Sequence, residues 1–219
     1  MNKLLIATNN PGKIIELTNL LSGLPVHILS LSDIGIADDV EEKGETYEEN
    51  SQAKALFYSQ KSGLPAISDD GGLEINALGG SPGIHSRRWL GYVATDEELV
   101  NHIRKVTMML PETNRTAYFR TVVSFALPDG RPCLPAGRVW SAEGKVKGII
   151  AKKPHLKMLK GYPFRSFFFL PQINKYYHES DLSEEEQKLY NHRYKAIEKL
   201  KPIIMQQLSL RGGTTKQSL

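Results

Sequence analysis

The chain has 219 residues, a formal net charge of +4 and one cysteine, Cys133. It is long enough to bury a proper core, and it fits one large domain or two lobes that share a sheet. The single cysteine excludes an internal disulfide, no stretch approaches the roughly 20 apolar residues of a membrane span, and no signal-peptide pattern opens the chain. We therefore expect a cytoplasmic protein without a membrane partner.

The positive charge is not gathered into a basic tail or interleaved with aromatic residues. A small polyanion such as a nucleotide explains the charge balance as well as nucleic acid does. We therefore expect no nucleic-acid partner.

The chain opens on a strand, a turn and a helix. Residues 4–7 are apolar, Asn9 or Asn10 is placed to cap a helix that starts at Pro11, and apolar residues then recur at helical spacing. The start of a helix attracts anions, phosphate above all, and Lys13 adds a full positive charge. An ordinary βα unit with a solvated lysine would show the same spacing. The candidate anion-binding residues are Thr8, Asn9, Asn10, Pro11, Gly12 and Lys13.

Capping-box patterns predict three later helices, which begin after Thr46, Thr95 and Ser183. In the first of these, Asn50 and Lys54 are four residues apart, so they share one helix face and could reach the same site. Between this helix and the second predicted strand, residues 26–31, lies an acidic loop over residues 33–44.

Two adjacent carboxylates, Asp69 and Asp70, follow an apolar run and precede Gly71 and Gly72. A carboxylate at the end of a strand is a ligand that Mg²⁺ prefers, because this ion binds hard oxygen atoms. A plain Asp-Asp-Gly-Gly turn is the competing interpretation.

The second half of the chain alternates over residues 116–127 and turns at Pro128-Asp129-Gly130. This pattern predicts a hairpin whose partner strand lies near residues 133–140, with a further strand over residues 145–150. The phenylalanine run at 167–169 predicts a buried strand, and residues 211–219 form a polar tail.

These motifs, taken in their order, resemble one family. They are Thr-x-Asn-x-x-Lys, Glu-Glu-x-Gly-x-Thr, Glu-Asn-x-x-x-Lys-Ala, Asp-Asp-x-Gly-Leu, Leu-Gly-Gly-x-Pro-Gly-Ile-x-Ser and a late His-Arg. The sequence resembles the inosine triphosphate pyrophosphatases, or Ham1-like proteins, from Leu4 to about Leu200.

The resemblance implies an α/β fold with an elongated mixed sheet, flanking helices and two lobes around a central nucleotide cleft. It implies a single nucleoside triphosphate pyrophosphatase domain over residues 1–210, before the tail at 211–219. It also implies a cytoplasmic homodimer that hydrolyses ITP, dITP and XTP to the monophosphate and pyrophosphate with Mg²⁺.

Carried over residue by residue, the resemblance assigns Asp70 as the catalytic residue and Glu41 and Asp70 as the metal ligands. Residues 8–13 would bind the triphosphate, and Gly71 stands where the family often has a serine that contacts the substrate. Arg88 matches the arginine that follows Pro-Gly-Ile-x-Ser. The remaining substrate-binding residues would be Tyr162, Pro163, Phe164, Arg165, His192 and Arg193.

The chain departs from the family pattern where the purine base would bind. Tyr162-Pro163-Phe164-Arg165 replaces a Phe-Gly-Tyr-Asp loop, and Gln187 replaces a lysine. Two alternatives follow: a Maf-like pyrophosphatase with a different base preference, or a nucleotide-binding protein without catalysis. Apolar surface on residues 116–140 is our prediction for part of the dimer interface.

Overall fold

A computed structural model describes residues 2–128 and 138–212 of the chain. The strands are β1 Asn2–Ile6, β2 Val26–Ser30, β3 Ala66–Ile75, β4 Thr116–Ala126, β5 Val139–Ile150, β6 Phe168–Leu170 and β7 Lys175–Tyr176. The helices are α1 Pro11–Leu21, α2 Tyr47–Ser62, α3 Asp96–Met109, α4 Glu184–Tyr190 and α5 His192–Gly212.

The strands form one seven-stranded sheet in the order β2-β1-β3-β4-β5-β6-β7. The sheet is mixed, because β1 pairs in parallel with both β2 and β3, whereas β6 pairs antiparallel with both β5 and β7. Helices α1 and α2 provide the crossovers that the parallel pairings require. The predicted α/β fold with a mixed sheet and flanking helices is confirmed.

The chain divides into two compact units, each with its own apolar core. In the first unit, α1 and α5 pack their apolar faces together with β1, as shown by buried Leu4, Leu17 and Ile197. In the second unit, α3 packs with β4 and β6 through buried residues such as Leu99, Phe119 and Phe168. The first unit contains Met1–Asp70, Val122–Glu143 and Ala196–Leu219, and the second contains Gly71–Thr121 and Gly144–Lys195.

The predicted helix starts are confirmed. Thr46, Thr95 and Ser183 each accept a hydrogen bond from the third backbone N–H of the helix, and the glutamate at that position reaches back to the capping residue. Asn10 caps α1, and Pro11 is its first residue.

Two predicted breaks in strands are wrong. β3 runs without interruption through Asp69-Asp70-Gly71-Gly72, so this sequence is not a turn. β5 is one strand that includes Gly144, with buried residues alternating at positions 144, 146, 148 and 150. Position 148 of β5 requires glycine, because a Cβ atom there would lie 2.5 Å from the ring of Phe168.

The predicted apolar dimer surface is wrong for β4. Its apolar side chains, among them Val123 and Phe125, are buried within this chain. The turn proposed at Asp129-Gly130, Cys133 and most of the tail lie outside the described residues. Within the described ranges, every helix is too short or too polar to cross a lipid bilayer.

Candidate active site

The turn between β1 and α1 carries the predicted phosphate-binding residues. The Oδ1 atom of Asn10 accepts hydrogen bonds from the backbone N–H of Gly12 at 2.9 Å and of Lys13 at 3.2 Å. Thr8 Oγ1 accepts from the backbone N–H of Asn10 at 3.2 Å, while Asn9 and Pro11 are exposed. Because the cap already uses two of the first N–H groups, the attraction for anions here comes from the Lys13 side chain and the helix dipole.

Lys13 links this turn to β3. Its Nζ atom lies 3.2 Å from Asp69 Oδ2 and 3.4 Å from the Asp69 carbonyl oxygen. The Asp69 side chain is fully buried, whereas 16% of the Lys13 side chain is exposed. The lysine is therefore held by a buried carboxylate and still reaches the surface of the first unit.

Helix α2 positions Asp70 from one face, as the spacing of Asn50 and Lys54 predicts. Asn50 Nδ2 donates to Asp70 Oδ2 at 3.2 Å, and Lys54 Nζ lies 3.8 Å from Asp70 Oδ1. The backbone N–H of Gly44 donates to Asn50 Oδ1 at 2.8 Å, which fixes the orientation of the amide. The Asp70 carboxylate is thus oriented by contacts on both oxygen atoms.

Both like and opposite charges surround this buried carboxylate. Burial raises the pKa of Asp70 above its ordinary value; Lys54 and Lys13 oppose the shift, and Glu42 and Asp69 reinforce it. Burial alone would lower the pKa of Lys54, but the carboxylates of Asp70, Glu42 and Asp69 raise it, so the lysine stays charged. A further positive charge at this place would relieve the crowding of the carboxylates.

The donor set fits a hard divalent cation, because Asp70, Glu41 and Glu42 all offer carboxylate oxygens. Glu42 Oε1 lies 2.7 Å from Lys54 Nζ. Glu41, the predicted second metal ligand, instead pairs with Lys43 at 2.9 Å and exposes 74% of its side chain. The structure therefore brings Glu42, and not Glu41, to the lysine that contacts Asp70.

A second group of predicted residues lies in the second unit, around the ring of Tyr162. The guanidinium carbon of Arg165 lies 3.8 Å from the centroid of this ring, and that of Arg193 lies 5.4 Å from it. Arg165 also approaches the ring of Tyr177, at 4.8 Å. Both arginines are almost fully buried. We call Tyr162, Arg165, Tyr177, His192 and Arg193 the basic aromatic cluster.

His192 is held in one tautomer within this cluster. Arg193 Nη1 lies 3.4 Å from His192 Nε2, and an arginine can only donate, so Nε2 accepts. The proton of the neutral ring is then on Nδ1, which donates to the hydroxyl oxygen of Tyr177 at 2.7 Å. Phe119 stacks on the imidazole of His192, with ring centroids 5.4 Å apart.

The other predicted residues contribute less to this cluster. Pro163 is buried, and Phe164 packs edge to face with Trp89, with centroids 5.6 Å apart. Gly71 lies on β3, where a Cβ atom would lie 2.5 Å from the carbonyl oxygen of Arg120. A serine would therefore not fit at position 71 without a backbone shift.

Sequence reasoning did not identify Glu42, Tyr177 and Phe119 as site residues. Glu42 is one position from Glu41 in an acidic run, and the irregular loop gives no periodicity to choose between them. The alternation in β4 predicts that Phe119 faces inward, but it carries no information about what the ring contacts there. Tyr177 follows the two-residue strand β7, which is too short to produce a sequence signal.

The Ham1 family model matches residues 4–203 of this chain. A dITP/XTP pyrophosphatase of Thermoanaerobacter sp. (strain X514) is 36% identical over 206 residues, which cover 94% of this chain and 98% of that protein. A dITP/XTP pyrophosphatase of Thermus thermophilus is 37% identical over 198 residues, covering 90% of this chain and 89% of that protein.

Two solved structures of Ham1 proteins also match this chain. The Staphylococcus aureus Ham1 protein matches with a TM-score of 0.73 and 30% identity, over 94% of this chain and all of that chain (100%). A HAM1 protein from Coxiella burnetii matches with a TM-score of 0.75 at 30% identity and the same coverage. The resemblance drawn from the motifs is confirmed, and the chain belongs to the Ham1 family.

Proposed function

We propose that this protein is a nucleoside triphosphate pyrophosphatase that hydrolyses ITP, dITP and XTP to the monophosphate and pyrophosphate. Relatives that cover most of the chain are named dITP/XTP pyrophosphatases, which supports the reaction and the substrate class. In this role the protein would remove non-standard purine nucleotides from the nucleotide pool. We also propose that it acts in the cytoplasm as a homodimer.

The observation that carries the proposal is the environment of Asp70. Asn50 and Lys54 orient its carboxylate, and its pKa is raised chiefly by burial. The raised pKa belongs to the metal-free carboxylate, and Mg²⁺ bound to Asp70 would lower it again while also making the attacking water molecule more acidic. The oriented carboxylate can then accept the proton of that water molecule, and the nearby charge of Lys13 suits a reaction on a polyanion.

We assign roles to the residues of the first unit accordingly. Lys13 and the start of α1, over residues 8–13, bind the phosphates. Asp70 accepts a proton from the water molecule that attacks the anhydride between the α and β phosphates, while pyrophosphate leaves. Lys54 neutralises the charge that develops on the phosphate oxygens and keeps Asp70 in place. Asp70 and Glu41 are the proposed ligands of Mg²⁺, which would supply further neutralisation of the phosphates when bound, while Glu42 stays with Lys54.

The basic aromatic cluster is the proposed base-binding region, with Pro163, Phe164 and the backbone of Gly71 as further contacts. Arg165 lies over one face of Tyr162 and can donate to a carbonyl oxygen of a deaminated purine. The neutral His192 and the charged Arg193 add polar groups of fixed orientation. Loss of Arg165 should therefore raise KM for ITP and XTP more than it lowers kcat.

The test is pyrophosphate release from ITP, XTP, dUTP, GTP and ATP with Mg²⁺, measured for the wild type and for Asp70→Asn. We expect release from ITP and XTP, lowered by about 10²- to 10⁴-fold in the variant, which is the usual contribution of a positioned base. Release from dUTP in place of the purines would replace the proposed substrate class with a Maf-like one. Equal activity of Asp70→Asn would remove Asp70 from its assigned role.

A further inference from the structure

Two histidines and an aspartate meet in the second unit, outside the residues assigned to catalysis. His155 lies between β5 and β6, and His178 and Asp181 lie between β7 and α4. Each residue offers one ligand atom, and these atoms all lie within 4.8 Å of one another. We call His155, His178 and Asp181 the imidazole–carboxylate cluster.

The two imidazoles are stacked, with centroids 4.2 Å apart and planes 29° apart. His155 Nε2 lies 3.4 Å from Asp181 Oδ1, so this ring already presents its Nε2 atom to the carboxylate. The stacking places the second ring alongside the first. Both rings therefore approach the same small volume next to one carboxylate.

The Nδ1 atoms of both rings have hydrogen-bond acceptors nearby. His155 Nδ1 is 3.2 Å from the carbonyl oxygen of Lys157, and His178 Nδ1 is 2.8 Å from Ser180 Oγ. Backbone N–H groups also donate to these atoms, that of Lys157 to His155 Nδ1 at 3.1 Å and that of Ser180 to His178 Nδ1 at 3.2 Å, so the proton of each neutral ring lies on Nε2 in the metal-free protein. A metal ion at Nε2 requires the other tautomer, in which Nδ1–H donates to Lys157 O and Ser180 Oγ. Histidines that bind metals are usually fixed by a hydrogen bond of this kind from the second ring nitrogen.

The Nε2 atom of His178 is buried, and within the described residues it has no hydrogen-bond partner. The residue as a whole is 2% exposed. A buried polar atom without a partner costs free energy, so its presence calls for an explanation. A metal ion bound at Nε2 is an explanation that also accounts for the neighbouring His155 and Asp181.

We propose that the imidazole–carboxylate cluster binds one divalent transition-metal ion of the Zn²⁺ class, through Nε2 of both histidines and a carboxylate oxygen of Asp181. Two imidazoles and one carboxylate suit Zn²⁺, whereas Mg²⁺ prefers oxygen ligands alone. Three protein ligands leave a fourth position for water. The ion joins the segment around His155 to the segment between β7 and α4.

The first experiment is titration of the metal-free protein with Zn²⁺ by calorimetry, and with Co²⁺ by absorption, in excess Mg²⁺. Cys133→Ser serves as the background so that the thiol cannot contribute a ligand. We expect one equivalent of Zn²⁺ to bind. Affinity should fall in His178→Ala by more than the roughly 10- to 100-fold that loss of a supporting residue costs, and it should also fall in Asp181→Asn. His85→Ala removes a histidine of the same unit that lies outside the cluster, and it should bind like the background.

Thermal unfolding in EDTA separates loss of a ligand from loss of the fold. In EDTA, the variants should have unfolding temperatures near that of the background protein. Without EDTA, added Zn²⁺ should raise the unfolding temperature only of proteins whose cluster is intact. If the background protein shows no saturable binding, or if His178→Ala binds as tightly, the proposal is wrong. The cluster is then a stacked histidine pair with an ion pair between His155 and Asp181.

Discussion

Among single residues, Glu41 and Glu42 are neighbours in the chain that have different partners and therefore different proposed roles. Glu42 is paired with Lys54, whereas Glu41 contacts only the exposed Lys43 among the ion pairs of the described chain. An exposed pair of this kind contributes roughly 0–1 kcal/mol, so Glu41 can turn away from Lys43 at little cost. We therefore keep Glu41 as the proposed metal ligand and assign Glu42 to positioning Lys54.

Comparison of Glu41→Gln with Glu42→Gln tests this division. We expect Glu41→Gln to raise the Mg²⁺ concentration at half-maximal activity, because it removes a charged ligand. Glu42→Gln should leave that concentration near the wild-type value and lower kcat, because Lys54 loses its closest carboxylate. Activity measured over a Mg²⁺ series at saturating ITP distinguishes the two. The reverse pattern would make Glu42 the metal ligand.

The raised pKa of Asp70 also has a consequence for stability. A carboxylate whose pKa is higher in the folded than in the unfolded state favours folding less as pH rises from its ordinary value of 3.8 through its folded pKa. In the Asp70→Asn variant, the side chain at this position carries no charge at any pH. In EDTA, the variant should therefore be more stable than the wild type at pH 7, and the difference should shrink as pH falls toward 3.8.

Asp33 provides the matched control for this measurement. The side-chain and backbone groups of Ser30 donate to its exposed carboxylate and lower its pKa. Asp33→Asn should therefore be less stable than the wild type at pH 7, with the difference lost as pH falls through the folded pKa. Urea unfolding of both variants at pH 7 gives the two signs, and a series from pH 7 to below pH 3.8 follows how each difference is lost. A stability difference of the same sign in both variants would contradict the raised pKa of Asp70.

At the scale of elements, Arg115 joins α3 to β4 and β5 inside the second unit. Its guanidinium donates to the carbonyl oxygens of Ile150 at 2.7 Å, Leu110 at 3.2 Å and Thr107 at 3.1 Å. Two of these carbonyls belong to the end of α3, where a positive charge is favourable. One buried side chain therefore satisfies the end of a helix and the end of a strand.

Arg115→Ala should destabilise the protein by roughly 2–3 kcal/mol, since buried carbonyls lose charged donors. Arg115→Lys should recover only part of this loss, because an ammonium group cannot match the three directions of the guanidinium. Arg104→Ala removes an exposed arginine of the same helix and should change stability by less than about 0.5 kcal/mol. Equal urea midpoints for the two alanine variants would show that the carbonyl contacts contribute nothing.

The elements that the sequence predicts correctly are those whose signals are local. Asn10, Thr46, Thr95 and Ser183 mark helix starts because capping is decided within four residues. The continuity of β3 through Gly71 was missed because it depends on a neighbouring strand that comes close only in the folded chain. The same reason explains Tyr177, whose role depends on contacts with Arg165 and His192.

At the scale of the whole molecule, nucleotide binding and catalysis are separate properties, and Asp70→Asn can separate them. If the protein binds ITP in its folded state alone, a nucleotide concentration 100 times the Kd adds about 2.7 kcal/mol to stability. For a chain of this size, that corresponds to a rise in Tm of roughly 5–10 °C. The variant keeps Lys13 and the basic aromatic cluster, so it should bind the substrate without consuming it.

We therefore expect ITP with Mg²⁺ to raise the Tm of Asp70→Asn by several degrees and to stay intact during the scan. Lys13→Ala in the same background should lose most of this rise, because it removes the positive charge at the start of α1. An alanine at exposed Lys3 removes the same charge from β1 and serves as the control. A large Tm rise in a wild type that releases no pyrophosphate would assign the protein to nucleotide binding without catalysis. No rise in any variant would exclude ITP as its ligand.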